Sequence, residues 1–139
     1  LTKEDRGSDL LNQQKYLIKL MDELKLNIDF SKIKINLFGF SQGVSALTRL
    51  LMNYNMKVNN IIIWAGWVPD EFFNINKDVL KDTNLFFVVG NKDKYYNNPI
   101  IKGYLKKIKN ILNKEIDYFV FNGGHIVDRK VLKKINEKL

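Results

Sequence analysis

The chain of 139 residues has no cysteine and only one histidine, His125. The missing cysteines exclude disulfides, thiolate catalysis and cysteine metal sites. A lone histidine excludes a multi-histidine metal centre within the chain, so neither a metal nor another cofactor is expected. No apolar run is long enough to cross a bilayer. The opening stretch from Leu1 to Asp9 is polar and charged and does not read as a signal peptide. A stable membrane anchor is therefore not expected, and a cytoplasmic location is. Also lacking are internal repeats, low-complexity segments and linkers.

The charge is lopsided, at +8. A nucleic-acid binder needs its basic residues clustered. Here lysines are spread over all the predicted helices, with no arginine-rich block and no interleaved aromatic platform. Lysine, asparagine and isoleucine are abundant together, which reads as a compositional bias. No nucleic-acid partner is expected. Hydrophobic residues make up 45% and charged residues 27%, which suits a globular domain with a real core.

Four stretches read as buried strands: Ile33 to Phe38, Asn60 to Trp64, Asn84 to Val89 and Asp117 to Phe121. Helical spacing lies between and around them. The first helix, capped by Ser8 or Asp9 after a charged lead-in, runs to about Leu26, with Leu10, Gln14, Leu17, Met21 and Leu24 on one stripe. A second carries Leu47, Leu50, Leu51 and Tyr54. A third starts at Pro99 behind an Asn98 cap and buries Ile101, Leu105, Ile108 and Leu112. A last helix, with Asp128 as its cap, carries Val131, Leu132, Ile135 and Leu139. Residues Phe72 to Lys81 are ambiguous, with room for a short helix. Strands alternating with helices predict a mostly parallel sheet flanked by helices, an α/β fold. Right-handed crossovers then gather every strand's C-terminal end at one edge, where ligands bind in such sheets.

Gly39-Phe40-Ser41-Gln42-Gly43 stands at the first of these exits, between a strand and a helix. So tight a reversal strains the backbone at the serine, often with φ > 0, and calls for small flanking residues. It lifts the Ser41 hydroxyl above the sheet edge. It also aims the Gln42 N–H, at the helix N-terminus, where an oxyanion would sit. A serine hydroxyl is a poor nucleophile unless a base lies within hydrogen-bond reach, and that base needs a third group to orient it. His125, after Gly123-Gly124 at the fourth exit, is the one imidazole available. Asp93, at the third exit, is the favoured acid; Asp70, past the second, is the alternative. Asp128 is better explained as a helix cap. Phe40, Trp67, Tyr95 and Tyr96 flank these positions, either lining a substrate pocket or packing under the loops. Serine, acid, histidine is also the chain order of the α/β-hydrolase triad.

Three segments carry a family resemblance. Gly39-Phe40-Ser41-Gln42-Gly43 resembles the elbow of the phospholipase/carboxylesterase family of α/β hydrolases, which includes small carboxylesterases and acyl-protein thioesterases. Val88-Val89-Gly90-Asn91-Lys92-Asp93 and Phe121-Asn122-Gly123-Gly124-His125 resemble its acid and histidine segments. The resemblance runs from about Asp9 to the C-terminus. It implies Ser41 as nucleophile, Asp93 as acid, His125 as base, and hydrolysis of carboxylic esters or thioesters without a cofactor. Val44 departs from the second glycine found in many members. The resemblance covers only the C-terminal half to two-thirds of the family's domain. A first residue that is not Met fits a natural chain that starts earlier. The family's upstream strands and His-Gly-rich loop, which supplies a second oxyanion donor, have no counterpart here, so the first strand is expected to expose an unpaired edge and to favour self-association. A single, N-terminally incomplete hydrolase domain is thus expected. Its expected activity is cleavage of small or medium acyl esters through a Ser41 acyl-enzyme. A thioesterase, a lysophospholipase-like enzyme and a non-catalytic binding protein on the same scaffold are the alternatives.

Overall fold

A computed structural model describes residues 2–139. In chain order it contains α1 (Lys3–Asn27), β1 (Asn36–Phe40), α2 (Gly43–Asn53), β2 (Asn60–Trp64), β3 (Asn84–Gly90), α3 (Asn98–Leu112), β4 (Ile116–Phe121) and α4 (Arg129–Asn136). The ambiguous stretch between β2 and β3 resolves into two 3₁₀ turns, Asp70–Asn74 and Lys77–Leu80.

The strands form one parallel sheet in the order β1-β2-β3-β4, as the alternating pattern predicts. Each crossover steps in the same direction, so right-handed connections stack on one face. On that face Ile61, Ile63, Leu85, Phe87 and Val89 pack against Val44, Leu47 and Leu51 of α2, Ile101 and Ile108 of α3, and Leu17 and Met21 of α1. The alternate residues Ile62, Trp64, Phe86 and Val88 point to the other face, where they meet Phe121 and Ile135. All five residues of β2 are buried, which explains its continuous apolar sequence.

This second face is thinly covered, because α4 is the one helix packed on it among the described residues. Phe38 is 42% exposed, and a groove of about 420 Å³ runs along α4, lined by Ile62, Leu132, Ile135 and Leu139. Among the described residues β1 pairs with β2 alone, leaving its outer edge free. No helix of the described residues is long and apolar enough to cross a membrane.

Several boundaries differ from the sequence expectation. The charged lead-in is helical: Thr2 caps α1, with its side chain accepting from the Asp5 N–H while the Asp5 carboxylate accepts from the Thr2 N–H. This capping box leaves Ser8 and Asp9 inside the helix. Leu1, the first residue of that lead-in, lies outside the described residues. β1 starts at Asn36 rather than Ile33, because the Ile35 N–H bonds to the Asn59 side chain instead of a strand. It also runs on through Gly39 and Phe40. The cap of α3 is Asn97, one residue earlier than expected, its side chain accepting from the Ile100 N–H. Asp128 does cap α4, accepting from the N–H groups of Lys130 and Val131.

Candidate active site

At the end of β1 the Ser41 N–H donates to the Trp64 carbonyl at 2.8 Å, which prolongs the ladder by one bond. The chain then turns sharply at Ser41, with φ of 53°. That left-handed conformation costs roughly 1–2 kcal/mol for a residue with a Cβ. It persists because the Ser41 carbonyl at once accepts the Val44 N–H, at 3.1 Å, opening α2. A side chain at Gly39 would collide with Leu47 and the Val44 backbone, and one at Gly66 would collide with the Ser41 carbonyl. Gly43, by contrast, has open space around it, so the crowding expected on both sides of the serine falls on Gly39 and on Gly66 of the neighbouring loop.

The loops after β3 and β4 bring Asp93 and His125 to the serine. His125 Nε2 lies 3.0 Å from Ser41 Oγ, and Nδ1 lies 2.6 Å from Asp93 Oδ2. Asp93 is enclosed, its side chain 1% exposed against 31% for His125. Its second oxygen, Oδ1, accepts the Tyr95 N–H at 2.9 Å, so both carboxylate oxygens are engaged. A buried carboxylate held this way is oriented as well as compensated. The histidine loop is fixed from below by Trp64, whose indole N–H donates to the Ile126 carbonyl at 2.9 Å. From the side, the Lys92 N–H donates to the Gly123 carbonyl at 2.8 Å. Hydroxyl, imidazole and carboxylate therefore stand in line, an arrangement able to draw a proton off the hydroxyl and stabilise the resulting imidazolium.

A cleft of about 270 Å³ opens over Ser41, lined by Gln42, Ser45, Ala65, Gly66, Trp67 and Tyr95. Among the described residues the Gln42 N–H has no backbone partner, as a donor kept for a ligand requires. Trp67 is steadied by the edge of the Tyr104 ring, 4.5 Å between centroids, and the Tyr104 hydroxyl accepts the Val68 N–H at 2.8 Å. Burial, with a smaller push from the Asp70 charge, raises that hydroxyl to about 12, while the Val68 N–H acts in the opposite direction.

Of the four aromatic residues expected around a pocket, Trp67 and Tyr95 line the cleft; Phe40 and Tyr96 do not. Phe40 falls on the α4 side of the sheet by strand alternation and lays its ring on His125, and Tyr96 packs against the main core. Asp70 is exposed in its 3₁₀ turn and makes no hydrogen bond to His125. Three contributors carry no clear signal in the sequence. Ala65 takes φ of 48° to send the Gly66-Trp67 loop toward the serine, Trp64 braces the histidine loop, and Tyr104 holds the Trp67-Val68 backbone. A Gly at position 65 would have announced the turn; alanine does not. Trp64 reads as one more apolar strand residue. Among the described residues no group of three His, Asp or Glu side chains is placed to hold a metal ion.

The fold has counterparts in solved structures. Arabidopsis thaliana SOBER1 superposes with a TM-score of 0.64 at 19% identity, over 94% of this chain and 62% of that one. The Bacillus cereus carboxylesterase gives 0.65 at 19%, over 95% and 61%. Zea mays acyl-protein thioesterase 2 gives 0.67 at 13%, over 99% and 67%. The fold is thus that of the α/β hydrolases, and the chain spans about 62% of the length of SOBER1. No curated protein sequence matches the chain. The phospholipase/carboxylesterase family model matches residues 2–139, and the chain belongs to that family.

Proposed function

We propose that Ser41, His125 and Asp93 are the catalytic triad of a carboxylic ester hydrolase acting on small or medium acyl esters. The observation that carries this reading is the pair of contacts on one imidazole, 3.0 Å to Ser41 Oγ and 2.6 Å to Asp93 Oδ2. His125 accepts the hydroxyl proton as Ser41 Oγ attacks the acyl carbon. Asp93 holds the ring so that Nε2 faces the serine and steadies the positive charge that forms. The Gln42 N–H stabilises the oxyanion of the tetrahedral intermediate. His125 then returns the proton to the departing alkoxide, leaving an acyl-Ser41. Water, deprotonated by the same imidazole, attacks that ester and releases the acid. Trp67 and Tyr95 flank the acyl or alcohol group. Thioesters can follow the same course through the same acyl-enzyme.

The proposal includes a second oxyanion donor supplied from beyond residues 1–139. It is supported by the free β1 edge beside the site and by the 62% of SOBER1 that the chain spans. A fluorophosphonate probe and p-nitrophenyl ester hydrolysis test the reading in the protein that carries these residues. Ser41→Ala is expected to abolish labelling and to lower kcat by several orders of magnitude. Retention of more than about a tenth of kcat would rule out Ser41 as nucleophile.

A further inference from the structure

Phe40 is the first of the two variable residues of the Gly-x-Ser-x-Gly motif, and it does not line the cleft. Its ring lies 4.8 Å from the His125 ring, centroid to centroid, with the planes tilted by 41°. Tyr95 meets the same imidazole edge-on at 6.0 Å, and its own ring carries the Lys94 ammonium at 4.8 Å. Each aromatic is tied to one of the two groups that His125 bridges. Phe40 is covalently next to Ser41, and the Tyr95 backbone N–H donates to Asp93.

The two hydrogen bonds of His125 lie in or near its ring plane. They set the direction of each nitrogen but leave the ring free to rock about the line joining them. A ring packed against the imidazole removes that freedom, and its π-electrons favour the imidazolium that forms during attack. The His125 side chain is partly open to solvent, and Trp64 and Lys92 brace its loop rather than its ring. Tyr95 is 59% exposed and is the weaker support.

We propose that Phe40 is a positioning residue for His125, holding the imidazole plane in line between Ser41 Oγ and Asp93 Oδ2. The proposal rests on the proposed function for its catalytic consequence, but the contact itself is independent of it. It gives the position before the serine a role: an aromatic residue there acts through the base rather than on the substrate.

The test compares Phe40→Leu with the conservative Phe40→Tyr in the protein that carries residues 1–139. One readout is the low-field proton resonance of the His125 Nδ1–H bonded to Asp93, assigned by its loss in His125→Gln. The other is ester hydrolysis, split into kcat and KM, with the rate of fluorophosphonate labelling. In Phe40→Leu the resonance should broaden or vanish, and kcat and labelling should fall roughly tenfold to a hundredfold with KM little changed. Phe40→Tyr should restore both. An unchanged resonance in Phe40→Leu, or a change confined to KM, would overturn the proposal, the latter because it would put Phe40 on the substrate. If Phe40→Leu fails to fold, Phe40→Met, closer in volume, takes its place with the same expectation. Absence of any labelling in the wild-type protein would count against the esterase reading, and the resonance would still decide the role of Phe40.

Discussion

Gly90, the last residue of β3, packs its α-carbon directly against the carbonyl of Gly123 in the histidine loop. A β-carbon built on Gly90 would overlap the oxygens of both Gly123 and Gly124. The loop bearing Asp93 and the loop bearing His125 can approach to 2.6 Å only because nothing projects between them. Gly90→Ala must push the two loops apart. It is expected to cost about 1–3 kcal/mol, as overpacking usually does, and to reduce Ser41 labelling by more than that loss of fold accounts for. Thermal melting and labelling of the surviving folded fraction measure the two effects separately. Wild-type labelling in a folded Gly90→Ala protein would mean that the approach of the loops is not needed.

The choice between the two acids is sharp. Asp93 bonds to His125 and is enclosed, whereas Asp70 sits exposed at the start of a 3₁₀ turn. Asp93→Asn substitutes a side-chain amide that favours the wrong imidazole tautomer, and kcat should fall by about 10⁴. Asp70→Asn should leave kcat within a factor of a few. Steady-state hydrolysis of an activated ester decides it, and a reversed order would move the acid to the second exit.

How much of this was legible in the residues follows from where each signal resides. Ser41 announced itself because a strand, two glycines and a helix leave one plausible backbone path, and its φ of 53° is the strain that path requires. Asp93 and His125 followed from topology, since a parallel sheet delivers every exit to one edge. The four strands were readable because their apolar runs are short and bounded. Side-chain direction was harder. Phe40 and Tyr96 are as aromatic as Trp67 and Tyr95, but one belongs to the last position of a strand and the other to a turn that packs inward. Nothing in composition distinguishes them. Trp64 was hidden because its hydrogen bond joins residues 64 and 126, distant in sequence. The Thr2 capping box is not legible because charge in the first turn resembles a solvated tail as much as a helix start.

Stability should fall at high pH through Tyr104. Its hydroxyl is held up to about 12, chiefly by burial, while an unfolded tyrosine ionises near 10. Between those values the unfolded chain has lost a proton that the folded chain keeps, so raising the pH favours unfolding. The stabilisation is intact below about pH 10 and is lost on the way to 12, amounting to about 2–3 kcal/mol by linkage. Denaturant titrations at pH 9, 10, 11 and 12 should show the decline, and Tyr104→Phe should flatten it. An equal slope in wild type and variant would assign the effect to other groups. Tyr118, also raised by burial, is the first to examine.

The last prediction concerns the free side of the sheet. Among the described residues β1 has no partner on its outer edge, Phe38 is exposed beside it, and the α4 groove adds apolar surface within reach. An edge strand of this kind pairs with whatever strand it meets, and a contiguous apolar patch adds to the tendency. The proposed mechanism is affected as well, because the Gln42 N–H is the one oxyanion donor it draws from the described residues and loss of a donor costs roughly 10²–10³ in kcat. Residues 1–139 expressed alone should therefore associate, and should hydrolyse p-nitrophenyl esters far more slowly than a longer protein that carries the second oxyanion donor proposed above. Size-exclusion chromatography with light scattering, run beside the ester assay on both forms, gives the comparison. Phe38→Lys, which places a charge beside the edge, should shift residues 1–139 toward monomer without restoring activity. If residues 1–139 were monodisperse and matched the longer form in rate, the second donor would have to lie within them, with the Gly66-Trp67 loop the nearest backbone to search.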